Sequence, residues 1–260
     1  MKDLFFYDAD CAVGRSPLDG SEPTVKELLA DMDYYGIDKA LIRHSNVDLL
    51  GAEPTNDEIA KFLREEDPEE RLGGIWYILP TESSAIPEPD EFIRQMKANR
   101  IKAIALSPHG HRFVPNRMVI GKIMDAAKER KIPVFVDKLY NFAVPPVEAW
   151  KEVYDFVDTF QDNVLIFGSL AQKWGCDRQI RPLLANYANF HFVTTGYWVP
   201  EGLRDLAEIY GYDRIIAGSG FPHYNLGSQM LQIKFSGLDS EAVAKMAGKN
   251  LERILGEAQI

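Results

Sequence analysis

Eight times along the 260 residues, a short apolar run ends in a polar loop, and apolar residues then recur at helical spacing. The first run lies in Leu4–Gly14, LFFYDADCAVG, and ends at Asp8, Asp10 and Cys11. It reads as a buried parallel strand running into a loop. Later runs are Lys39–Arg43, Leu72–Leu79, Ile101–Leu106, Ile132–Val136, Val164–Phe167, His191–Thr195 and Arg214–Ala217. Between them the spacing predicts helices over Val25–Gly36, Asn56–Glu66, Pro89–Asn99, Asn116–Arg130, Pro146–Phe160, Arg178–Tyr187 and Glu201–Tyr210, with Ser240–Ala247 and Lys249–Leu255 closing the chain. Thr24-Val25-Lys26-Glu27 is a capping box for the first of these helices.

Eight strand-then-helix units are what a (β/α)₈ barrel, a TIM barrel, requires, and an open doubly wound sheet rarely reaches that number. No G-x-G-x-x-G follows the first run, which removes the dinucleotide-binding alternative. The expected organisation is one α/β domain over residues 1–260, with no linker or low-complexity stretch. A chain of this length buries about 70–75% of its unfolded surface, so neither Cys11 nor Cys176 is needed as a staple. Two thiols without a partner motif suit a reducing, cytoplasmic setting.

The start MKDLFFYDAD does not read as a signal peptide, and no apolar run reaches the length of a membrane span. Thirty-nine acids against 29 bases give a net charge of −10, which disfavours nucleic acid and anionic membrane as partners. The expected partner is a small-molecule substrate, and association into a homo-oligomer stays open.

Several stretches in order resemble the amidohydrolase superfamily, in particular its amidohydrolase-related branch, which includes decarboxylases and lactonases. They are D-A-x-C-x-x-G at Asp8–Gly14, IPVFV at Ile132–Val136, VLIFG at Val164–Gly168, IIAGSGF at Ile215–Phe221 followed by Pro222, and GKNLERIL at Gly248–Leu255. The resemblance implies the barrel fold and a divalent metal held by a His-x-His after the first strand, a His after the fifth, a His after the sixth and an Asp after the eighth. The matching positions here are Asp10, Ala12, Asp137, Ser169 and Gly220. A zinc-like ion needs three or four nitrogen, sulfur or oxygen ligands, so the expectation is no resident metal and no other cofactor.

Active sites of such barrels lie at the C-terminal strand ends, which selects the remaining candidates. Asp10 and Asp137 are candidate general bases, or two close carboxylates could bind a hard cation through oxygen; the bland alternative is that each accepts hydrogen bonds from loop amides or pairs with a base such as Lys138. His109, His111 and His223 are candidate acids or oxyanion donors. His109 and His111 form an H-x-H whose side chains would share one side of an extended segment, though solvated loop histidines are common. His44, Arg112, Ser169, Tyr197 and Trp198 are candidate substrate contacts. Arg112 could fork a carboxylate, Ser169 lacks a nucleophile-elbow sequence, and Tyr197 and Trp198 would wall a pocket. His191, at the opposite end of its strand, is expected to be structural, and Trp76 to be core. The first reading is a small-molecule hydrolase, of lactonase type among its options and metal-independent. The rival is an inactive barrel retained as a ligand-binding or interaction module.

Overall fold

The computed structural model describes residues 4–17, 20–136, 139, 146–168 and 176–260. Asp137 and Ser169 therefore lie outside the described residues. Eight parallel strands run in sequence order around one sheet: β1 Tyr7–Val13, β2 Lys39–His44, β3 Leu72–Tyr77, β4 Ile101–Ala105, β5 Val134–Phe135, β6 Leu165–Phe167, β7 Phe190–Val193 and β8 Ile215–Ile216. The circle closes where Ala9 N–H donates to Ala217 O at 2.9 Å and Ala12 N–H to Phe221 O at 2.9 Å. This is the (β/α)₈ barrel that the alternation predicts.

The helices, in chain order, are α1 Val25–Tyr35, α2 Val47–Leu50, α3 Ala52–Glu66, α4 Pro89–Ala98, α5 Pro108–His111, α6 Arg117–Glu129, α7 Pro146–Thr159, α8 Asp177–Asn186, α9 Gly202–Tyr210, α10 Leu226–Lys234, α11 Ser240–Ala244 and α12 Asn250–Glu257. Among the described residues none is long and apolar enough to cross a membrane. Strand parity builds two layers. Ala9, Leu41, Ile75, Ala103, Phe135, Ile166, Val193 and Ile216 fill the barrel, while Ile42, Trp76, Ile104, Val134, Phe167, Phe192 and Ile215 join the larger core beneath the helices. Each large apolar side chain buried there contributes about 1.5–3 kcal/mol.

The capping box at α1 forms as expected: Glu27 N–H donates to Thr24 Oγ1 at 3.1 Å, and Thr24 N–H donates to Glu27 Oε2 at 2.9 Å. A cap of this kind contributes about 1 kcal/mol. The helix stops at Gly36, whose φ of 78° needs no Cβ.

Three boundaries differ from expectation for identifiable reasons. The helix expected from Asn56 begins at Ala52, and Asn56 is buried within it. Its side chain mimics a strand neighbour: Tyr77 N–H donates to Oδ1 at 2.8 Å and Nδ2 donates to Tyr77 O at 2.9 Å. Helix α10 was not anticipated, because its buried face includes Gly227 and Gln229 and so lacks a clean apolar stripe. The two closing helices are joined by a π-helical turn, Lys245–Lys249, rather than separated. Gly248 in that turn lies against Phe5, where a Cβ would sit 2.7 Å from a ring carbon.

Candidate active site

The strand ends gather one compact polar group. On β2, Leu41 points into the barrel and Ile42 outward, so Arg43 points inward at the mouth, where its guanidinium donates to Asp10 Oδ1. Both residues are buried, Asp10 at 3% and Arg43 at 7% exposure. The Asp10 backbone is pinned on both sides, its N–H donating to Asp8 Oδ1 at 2.9 Å and its carbonyl accepting from Gly220 N–H at 2.9 Å. Its second oxygen, Oδ2, is buried and accepts no hydrogen bond. A buried carboxylate with one oxygen bound to a guanidinium and the other unengaged is costly to maintain, as expected of groups arranged for function rather than stability.

Close approach keeps the group small. At Gly218 a Cβ would lie 2.2 Å from Val193 Cγ1, 2.5 Å from Thr195 Oγ1 and 3.1 Å from Asp10 Cβ. Only glycine lets the segment after β8 pass so near Asp10 and β7. Tyr224 follows on the same loop, and its hydroxyl pKa is raised first by burial and then by the Asp10 charge.

Asp8, near the start of β1, and Cys11, within it, have other tasks. Asp8 Oδ1 accepts from Asp10 N–H and from Ser219 N–H, each at 2.9 Å, while Oδ2 is buried without a partner. Burial raises the Asp8 pKa, opposed by the Ser219 side chain and by the Asp10 and Ser219 amides. Cys11 and Cys176 are both free and buried, and burial pushes both thiols up, Cys176 to about 12, which makes neither a ready thiolate.

The H-x-H expectation is corrected. His109 and His111 belong to a helical turn, α5, not to an extended segment, so residues two apart point to different sides. His109 Nε2 meets Glu152 Oε2 on α7 at 2.8 Å and is exposed. His111 Nε2 lies 3.1 Å from Val47 O, with its ring edge-on to Tyr77 at 6.3 Å. If Nε2 carries the proton for that carbonyl, Nδ1, buried and without a partner, is left as an acceptor.

The other candidates are spread out. His44 is buried behind the mouth, where Nδ1 accepts from Asn46 N–H at 3.0 Å and Nε2 donates to Glu58 Oε2 at 2.7 Å. Burial lowers its pKa against the opposing pull of Glu58. A Cβ at Gly14 would meet His44 Nε2 at 2.4 Å, so this ring is wedged between β1 and α3. Tyr197 is buried in the outer core, edge-on to Phe192 at 5.2 Å, with its hydroxyl donating to Asp177. Arg112, Trp198 and His223 lie at the surface, Trp198 at 43% exposure. Of the sequence candidates with described positions, Asp10 thus stands in the mouth beside Arg43, and His111 reaches the Tyr77 ring. Arg43 was missed, although the parity of KALIR, with Leu41 inward, carries the signal.

The resemblance implies a divalent metal, and the described residues do not fit one. Ala12 and Gly220 offer no side-chain donor, and the Asp10 carboxylate already faces a fixed cation, Arg43. Among the described residues no three His, Cys, Asp or Glu side chains gather closely enough to hold a metal ion.

A family model described as amidohydrolase matches residues 18–256. Comparison with curated protein sequences gives no match. Among solved structures, 5-carboxyvanillate decarboxylase from Sphingomonas paucimobilis superposes with a TM-score of 0.72 at 16% identity, covering 98% of this chain and 99% of that one. The 2,6-dihydroxybenzoate decarboxylase from Rhizobium gives 0.74 at 13% identity, over 97% and 99% of the two chains. An uncharacterized TIM-barrel protein from Bordetella bronchiseptica gives 0.70 at 16% identity, over 98% and 99%. At such identities the likeness is one of fold.

Proposed function

Given that the chain belongs to the amidohydrolase family, we propose that it is a small-molecule hydrolase acting on an ester or lactone at the barrel mouth, without a resident metal. The observation that carries this reading is the buried Asp10–Arg43 pair with Asp10 Oδ2 unengaged. In this account Oδ2 takes a proton from a water as its oxygen attacks the carbonyl carbon. The Arg43 guanidinium faces the oxyanion as charge develops there. Asp10 then returns the proton to the departing alkoxide, so ester and water become alcohol and acid. The planar fork of Arg43 suits the carboxylate that results. Asp137, which follows the β5 sequence and lies outside the described residues, is the second candidate base, and His111 Nδ1 the candidate partner on the β4 side.

A second reading is decarboxylation, because the same fork would hold a substrate carboxylate and two of the similar folds are named as decarboxylases. A panel of lactones, aryl esters and hydroxylated aromatic acids separates the readings. Hydrolysis releases a proton and consumes water, whereas decarboxylation releases CO₂ and consumes a proton. Proton release that disappears in Asp10→Asn is the expected result. CO₂ release would transfer the site to the second reading, and a wholly inert protein whose mouth only binds panel members would favour the interaction module.

A further inference from the structure

We propose that the cavity at the N-terminal end of the barrel, opposite the mouth, is a binding site for a dianionic phosphate group. The cavity has a volume of about 140 Å³ and is lined by residues at or just before the starts of β5 to β8 and by Arg253, Ile254 and Glu257 of α12. Lys131, Asn189, His191, Arg214, Arg253 and Glu257 supply its polar lining.

Its charge is the reverse of the chain's. Three cations face one carboxylate in a protein of net charge −10. That carboxylate is shared, with Glu257 lying 3.4 Å from Lys131 Nζ and 3.2 Å from Arg253. Arg214 has no carboxylate partner among the described residues. It is held instead by two backbone carbonyls, Tyr187 O at 2.9 Å and Tyr210 O at 3.0 Å. A guanidinium carries five N–H groups, so most of this fork is fixed in place and unspent, which is the arrangement that recognises oxyanions.

His191 completes the match. Its Nδ1 faces the carbonyls of Leu165 at 3.3 Å and Asn189 at 3.0 Å, so Nδ1 carries the proton and Nε2 is an acceptor. Burial, with Arg253 and Arg214 adding to it, lowers its pKa to about 4 and keeps the ring neutral near pH 7. Two surplus positive charges, several free N–H donors and one acceptor suit monohydrogen phosphate or a phosphate monoester, both dianions and the former also an O–H donor.

Calorimetric titration at constant ionic strength tests this, with inorganic phosphate and glycerol phosphate as ligands and sodium chloride as the control. Saturable binding of either is expected, and which of the two binds more tightly separates free phosphate from a phosphorylated molecule. Arg214→Gln and Arg253→Gln should each weaken it at least about tenfold, which is about 1.4 kcal/mol. Arg253 is exposed, so its variant keeps the test open if Arg214→Gln fails to fold. Asp10→Asn, at the far end of the barrel, should bind phosphate as the wild type does. No saturable binding beyond the chloride control up to about 10 mM would overturn the proposal, and so would wild-type affinity in both arginine variants.

Discussion

Replacing Arg43 with Met keeps much of the side-chain volume and removes the charge that Asp10 faces. Asp10 is 3% exposed and its second oxygen has no partner, so the variant leaves an uncompensated carboxylate inside the mouth. Breaking a buried pair from one side costs about 3–5 kcal/mol, much of it the cost of the stranded charge. For a chain of this size, that lowers the midpoint of thermal unfolding by about 10 °C. Neutralising the stranded group as well, in Asp10→Asn/Arg43→Met, should recover at least about 2 kcal/mol relative to the single arginine variant. Urea and thermal unfolding of wild type, both single variants and the double variant give the cycle. An Arg43→Met protein within about 0.5 kcal/mol of wild type, or a double variant no more stable than Arg43→Met, would refute the assignment of a buried, coupled pair.

Three further outcomes follow from the same geometry. The folded-state pKa of His191 is lowered from 6.5 to about 4, so its neutral form contributes stability in full above about pH 6.5 that is lost as pH falls toward 4. That amounts to about 3 kcal/mol, and His191→Asn should flatten this part of the acid-unfolding profile. Asp8 acts with the opposite sign, since its raised folded pKa makes stability decline as pH rises from its unfolded value of 3.8. Asp8→Asn should therefore raise the unfolding midpoint at pH 7, measured against wild type in the same buffer. Asp137→Asn should lower kcat/KM at least about tenfold on a confirmed substrate, about 1.4 kcal/mol of transition-state stabilisation, and an unchanged rate would remove Asp137 as a base.

The fold was legible because each unit repeats one pattern: a buried run such as LGGIWY, then a helix with a single apolar face such as that of α6. The capping box could be read from four residues and formed as read. Asp10 was legible from the polar residues that interrupt the first apolar run, although β1 does not stop there but continues through Asp8, Asp10 and Cys11 to Val13, because Ala9, Cys11 and Val13 are all buried. Its partner Arg43 is marked only by its inward parity within KALIR. The H-x-H misled for a local reason. Pro108 is well tolerated in the first turn of a helix, and Ser107-Pro108-His109-Gly110-His111 closes such a turn, with His111 N–H donating to Ser107 O at 2.9 Å. Helix α10 was hidden because Gln229, a polar residue, is buried in its packed face against the cavity beside Asp8. The basal cavity leaves no local mark in the sequence, since Lys131, Arg214 and Arg253 are far apart along the chain.

The claim that chemistry at the barrel mouth runs through Asp10 is tested most directly by the rate of Asp10→Asn. The substrate is whichever member of the ester and lactone panel the wild type turns over fastest. General-base catalysis contributes about 10²–10⁴-fold, so the account predicts a loss of kcat/KM of at least about a hundredfold, with folding intact by circular dichroism. A rate within about twofold of wild type would contradict it.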